Sequence, residues 1–278
     1  MKTSIRPMAL AKQLTAIPLH FVKHQWKGMA VVAPEKHPFG PHWRQYLLFR
    51  MPPDSVPLQH SVVVFYHGGG WRLGWPDQFP TVADWFLQRG YPVVMPAYRL
   101  LPKYRYPAMR EDLNLALGKI ISLMEEKGLK AKKLLLGGMS AGATLAAHLA
   151  FNRNELADFC MTSNYFSGFL SFGGPLDLNR MPNVMQVRGF ADGKFGSEAF
   201  KAANPITWIT DYEHLPILLL HGTDDAIVPF ASSESFYAQY SGPKMLHPIP
   251  GGSHLDSLGF ALNDVVSSKL VEDWLSKL

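Results

Sequence analysis

A chain of 278 residues with 47% hydrophobic and 18% charged residues has the composition of a packed globular protein, which excludes a disordered or collagen-like chain. Its net charge of +5 comes from Lys and Arg scattered along the sequence; without basic tracts, nucleic acid is not an expected partner, and the charge reads as solubility and weak substrate steering. The lone Cys160 excludes an internal disulfide, Pro7, Lys12 and Gln13 interrupt any leader-like apolar stretch, and no apolar run approaches the roughly 18 residues of a membrane span. A soluble cytoplasmic protein is expected, with one domain over residues 1–278 and its oligomeric state open.

In chain order, residues 1–16 read as a short amphipathic helix. Leu19–His24 and Arg44–Met51 have the aromatic and aliphatic content of an opening antiparallel pair of strands. Ser61–Tyr66, Tyr91–Pro96 and Lys133–Gly137 are short apolar runs bounded by Gly or Pro, as in strands buried on both faces. Phe166–Phe172, Pro216–His221 and Lys244–Pro248 bring the total to about eight strands. Helical periodicity falls between them at Pro80–Arg89, Ala108–Lys127, Ala141–Asn152, Ala231–Tyr240 and Ser257–Lys277. This alternation predicts an α/β fold: a mostly parallel, doubly wound sheet with helices on both faces and reactive loops at the strand C-terminal ends. Leu178–Thr210 is long for a plain connection and reads as a small cap.

Four loops carry chemistry. Gly138-Met139-Ser140-Ala141-Gly142 joins a predicted buried strand to an Ala- and Leu-rich helix, a setting in which a sharp turn exposes the serine near a helix N-terminus. His67-Gly68-Gly69-Gly70-Trp71 follows the Ser61–Tyr66 strand; its glycines let backbone N–H groups approach a developing oxyanion, with Gly69, Gly70 and Ala141 as the expected donors. His67 reads as a residue that holds the loop. After the Pro216–His221 strand come the adjacent carboxylates Asp224 and Asp225, and His254 lies between the last predicted strand and the last helix. His254 is the expected base, whereas His221 and His247 read as structural.

With Tyr98-Arg99-Leu100, Tyr106-Pro107-Ala108 and Glu111-Asp112 added, the chain resembles the hormone-sensitive-lipase-like branch of the α/β-hydrolases over roughly residues 60–278. That branch includes small carboxylesterases and kynurenine formamidases. The resemblance implies an α/β-hydrolase fold and a Ser140–Asp225–His254 triad in the family's chain order, with Asp225 rather than Asp224 in the D-x-x-V-P acid loop. It also implies an oxyanion hole of Gly69, Gly70 and Ala141. Met139 departs from the acidic residue that often precedes the serine in the esterase branch.

The implied activity is cleavage of small, short-chain carboxylic esters through an acyl-enzyme. The alternative is an arylformamidase acting on N-formylkynurenine-like amides, because H-G-G-x-W also fits that family. A non-catalytic ligand-binding protein on the same fold is disfavoured by the presence of His254. The expected partner is a small ester or amide, with Trp71, Phe190 and Trp208 lining its site. No metal or organic cofactor is expected, because the histidines do not fall at metal-ligand spacing.

Overall fold

The computed structural model describes residues 7–25, 32–152, 165–181, 184–210 and 213–278; Cys160 lies outside them. Eight strands form one sheet: β1 (Glu35–Pro38), β2 (Tyr46–Arg50), β3 (Ser61–Tyr66), β4 (Val93–Pro96), β5 (Lys133–Met139), β6 (Phe166–Phe172), β7 (Ile217–Gly222) and β8 (Lys244–Ile249). Their order is β1-β2-β4-β3-β5-β6-β7-β8. The pairs β1–β2 and β2–β4 are antiparallel and the rest are parallel. Strands β2, β3, β4, β6 and β7 are buried throughout, which explains why they read as continuous apolar runs.

Eight α-helices are described: α1 (Pro7–Gln25), α2 (Pro80–Leu87), α3 (Tyr106–Glu126), α4 (Ala141–Phe151), α5 (Val184–Ala191), α6 (Glu198–Ala203), α7 (Ala231–Gln239) and α8 (Val265–Leu275). Alternate residues of β3 divide the core. Val62, Val64 and Tyr66 pack with α3, α4 and the 178–210 segment on one face, and Val63 and Phe65 pack with α2 and α8 on the other. All of α4 is buried. Its alanines allow close approach to the sheet, and each of its buried Leu and Phe side chains contributes about 1.5–3 kcal/mol. The described part of Leu178–Thr210 forms α5, α6 and two short 3-10 turns over this face. No described helix is long and apolar enough to cross a membrane.

Two sequence expectations are corrected, and one strand was not anticipated. Leu19–His24 is the end of α1 rather than a strand; a short apolar run fits either state, and here it extends a helix already begun over the helix-forming residues around Ala9–Leu14. The true first strand is Glu35-Lys36-His37-Pro38, mostly exposed. An edge strand blunted by charge and proline carries no apolar signal. The helix expected over Ser257–Lys277 is divided into a 3-10 segment, Leu255–Ala261, and α8, because Asp264 accepts from the Val266 and Ser267 N–H groups and starts a new helix there.

The chain leaves β3 toward β4 on one side and returns to β5 on the other, so β3 and β5 are neighbours at the point where the winding reverses. Tyr66 is paired with Gly138. The loops leaving β3 and β5, which begin at His67 and Ser140, therefore open into the same crevice, the place where sheets of this kind bind ligands.

Candidate active site

Ser140 sits at the turn from β5 into α4 with φ 53° and ψ −123°, a left-handed backbone that an L-residue holds only under constraint. Its N–H donates to the Phe172 carbonyl at 2.9 Å. The flanking glycines are sterically required. A Cβ on Gly138 would run into the backbone of Gly142, and one on Gly142 would run into the carbonyls of Tyr66 and His67. Gly142→Ala should therefore destabilise the protein by about 3 kcal/mol or more, since backbone rather than a flexible side chain must move. Urea unfolding monitored by circular dichroism checks this.

Asp225 and His254 come together. His254 Nδ1 lies 2.6 Å from Asp225 Oδ2, with both side chains buried. The other oxygen, Oδ1, accepts from the N–H groups of Ile227 and Val228, each at 2.9 Å. Asp224 is exposed. Burial by itself would raise the Asp225 carboxyl; the charge of His254 and hydrogen bonds from His221 and His254 outweigh it and hold the group well below the usual carboxylate range.

His221, expected to be structural, is fully buried and reaches this carboxylate, with Nε2 3.2 Å from Asp225 Oδ2. Nε2 also lies 2.8 Å from the Val228 carbonyl, while Nδ1 lies 2.7 Å from Ser233 Oγ. Two acceptors facing Nε2 assign the proton there and leave Nδ1 to accept from the serine hydroxyl. His221 thus braces the acid from behind. A histidine four residues before a carboxylate was the available signal.

Ser140 and His254 approach across the end of β6. Ser140 is bonded to Phe172, and a Cβ on the next residue, Gly173, would lie 3.3 Å from His254 Nδ1. Among the described residues Ser140 Oγ has no hydrogen bond to His254, a contact that commonly tightens only when substrate is bound.

The His67–Trp71 loop lies against the serine. A Cβ on Gly68 would meet Ser140 Cβ at 3.4 Å. Gly69 and Gly70 both have positive φ, at 125° and 60°, and a side chain on Gly69 would strike the Leu73 carbonyl. Among the described residues, the N–H groups of Gly69, Gly70 and Ala141 make no backbone hydrogen bond.

The loop is clamped by groups outside the motif. Arg44, buried at the foot of β2, donates to the Tyr98 and Gly74 carbonyls, each at 2.7 Å, and its Nη2 lies 3.4 Å from His67 Nε2. His67 Nδ1 donates to the Gly68 carbonyl at 2.7 Å, and the His67 ring stacks on Tyr98 with centroids 4.2 Å apart. Burial pushes His67 down to about 3, so it is neutral at ordinary pH and holds the loop, as its position suggested. Gln186 of α5 donates to the Gly70 carbonyl at 2.8 Å.

Of the residues expected to line the substrate site, Trp71 and Phe190 stack on each other at 4.1 Å and are buried. Trp208 keeps some exposed surface and stacks on Tyr106 at 6.3 Å, while Tyr106 meets Phe190 edge-on. The three belong to one aromatic cluster, within which Trp71 and Phe190 are packing partners. A separate cavity of about 710 Å³ borders Asp225 and His254 and is walled on its far side by α1.

The chain is 35% identical to an ethyl acetate hydrolase of Pseudomonas putida over 112 residues, covering 40% of this chain and 34% of that protein. It is 25% identical to the esterase LipQ of Mycobacterium tuberculosis over 257 residues, covering 86% of this chain and 61% of that protein. The chain thus spans between about a third and three-fifths of the length of these two curated relatives. Among solved structures, sarin-phosphonylated esterase 2 of Thermogutta terrifontis superposes with a TM-score of 0.74 at 23% identity, covering 90% of this chain and 95% of that one. This likeness shows the α/β-hydrolase fold. A family model, BD-FAE, matches residues 51–240 of the 278, and the chain therefore belongs to the BD-FAE family, built on an α/β-hydrolase fold.

Proposed function

We propose that this protein is a serine hydrolase that cleaves small carboxylic esters through an acyl-enzyme. The observation that carries the reading is the buried His254–Asp225 pair, 2.6 Å apart, set across the end of β6 from a serine held at positive φ between β5 and α4. With Nδ1 engaged by Asp225, His254 has Nε2 free to take the Ser140 proton as Oγ attacks the ester carbonyl. The N–H groups of Gly69, Gly70 and Ala141 receive the oxyanion. His254 then passes the proton to the departing alkoxide, and water repeats the sequence on the acyl-enzyme.

A short acyl group is supported by the closeness of α5. Gln186 is bonded to Gly70, and Phe190 is stacked on Trp71, so aromatic packing fills the space beside the oxyanion loop. The relative named for ethyl acetate hydrolysis agrees with this reading. The described residues act as one domain, in which Leu178–Thr210 is the small cap. A series of p-nitrophenyl esters tests the proposal: kcat/KM should be highest for acetate or butyrate and fall by about tenfold or more at octanoate. A preference for octanoate refutes the short-chain assignment, and absence of turnover across the series refutes the esterase reading.

A further inference from the structure

Helix α1 presents Ala9, Lys12, Gln13 and Ala16 to the cavity of about 710 Å³ that borders Asp225 and His254. Their spacing of three and four residues puts them on one helix face. The two alanines leave the space open, and Gln13 crosses to the loops. Its Nε2 donates to the Asp224 carbonyl at 2.8 Å, and its Oε1 accepts from the Ala226 N–H at 3.0 Å and, more weakly, from the His254 N–H at 3.4 Å.

The first two bonds engage the peptide groups on either side of Asp225. The carboxamide therefore acts as a neighbouring strand's peptide would, one donor and one acceptor across an extended backbone. Elsewhere the loops are joined upstream of the acid, through Thr223 N–H to the Ile249 carbonyl and Asp224 N–H to the Gly252 carbonyl. Among the described residues, Gln13 is the side chain that grips both peptide groups flanking Asp225 and reaches the backbone of His254 as well.

We propose that Gln13 is a positioning residue that fixes Asp225 and His254 relative to each other, so that seating of α1 on these loops sets the rate of proton transfer from Ser140. This rests on the serine-hydrolase reading above. Loosening of a reacting geometry is expressed in turnover before it is expressed in binding.

The test uses the full chain with p-nitrophenyl acetate and three variants, Gln13→Ala, Gln13→Glu and Ser140→Ala, with Tm recorded for each. Gln13→Ala should lower kcat about tenfold and change KM less than about twofold. Gln13→Glu has nearly the same shape and keeps the acceptor, but it turns a carboxylate oxygen toward the Asp224 carbonyl and adds negative charge beside His254. The acid limb of its kcat/KM profile should therefore move up by about half a pH unit. Besides Asp225, which His221 braces, the charged groups around His254 are Lys12 on α1, Asp224 on the loop after β7, Asp256 two residues beyond His254 and Glu234 on α7. These are unchanged in the comparison. Wild-type kcat and pH profile in both Gln13 variants, or a loss confined to KM, overturns the proposal. Turnover retained by Ser140→Ala overturns the serine-hydrolase reading instead, whatever the Gln13 variants do.

Discussion

Replacing Ser140 with alanine should lower kcat on p-nitrophenyl acetate by roughly 10⁶-fold, because the nucleophile and its base act as a unit and the loss of either removes most of the covalent route. The remaining rate over water should come from the Gly69, Gly70 and Ala141 N–H groups and from binding. The variant should fold as the wild type does, since Ser140 Oγ bonds to no other described side chain and the backbone bond to Phe172 survives. Ser140→Gly adds a control that separates strain from chemistry. It should be as inactive as Ser140→Ala yet more stable by about 1 kcal/mol, because glycine occupies φ 53° without crowding its Cβ against the carbonyl. Steady-state rates and urea unfolding of the two variants check both halves. Equal stability of the two would mean that the turn stores no strain at this residue, and turnover near wild type in either would remove Ser140 from the mechanism.

Asp225→Asn should lower kcat by roughly 10⁴-fold. If the amide oxygen keeps the bonds from Ile227 and Val228, the NH₂ group falls where Oδ2 now faces both His254 Nδ1 and His221 Nε2. One donor then confronts the Nε2–H of His221. The other forces His254 Nδ1 to accept, which places the ring proton on Nε2 and leaves it unable to take a proton from Ser140. The mismatch is buried, so a stability loss of about 1–3 kcal/mol should accompany the kinetic one. The pH dependence of stability should change as well. A carboxyl depressed in the folded protein contributes stability that is fully present above its unfolded value near 4 and is lost as pH falls through its lower folded value. Wild-type stability should therefore decline on the acid side more steeply than that of Asp225→Asn, as urea titrations at pH 3 to 7 would show. Parallel acid limbs would contradict the charge pairing.

The sequence made visible those features that a local pattern encodes. The buried strands β3 and β6 stand at their expected residues, because burial on both faces leaves an uninterrupted apolar run. The tight turn at Ser140 and the glycine loop at His67–Trp71 were legible because glycine is demanded there by backbone contact, as at Gly138, Gly142 and Gly69. The choice of Asp225 over Asp224 came from the D-x-x-V-P resemblance and not from the two residues themselves, which are chemically alike. In the fold it depends on which one the turn after β7 points toward His254. Arg44, His221, Gln186 and Gln13 escaped as members of the site for a related reason. Arg44 and Gln186 act through chain separations of 30 and 116 residues, and Gln13 through 211. Each looks ordinary in its own segment until the fold delivers it to a loop. The first strand was missed because its role at the sheet edge favours the charge and proline that hide a strand.

The two halves of the site rest on ground of different depth. Ser140 stands between a central strand and α4, buried along its whole length, and its amide is tied to β6. His254 follows β8, the partly exposed strand at the margin of the sheet, and leads into a 3-10 segment. Segments of that second kind open locally at lower free energy than a sheet centre does. Ser140 consequently belongs to the part of the molecule that persists until global unfolding, whereas His254 belongs to a part that can open earlier. Under the proposed mechanism, partial opening at the margin would thus stop hydrolysis while leaving Ser140 in place, and activity would return on closing.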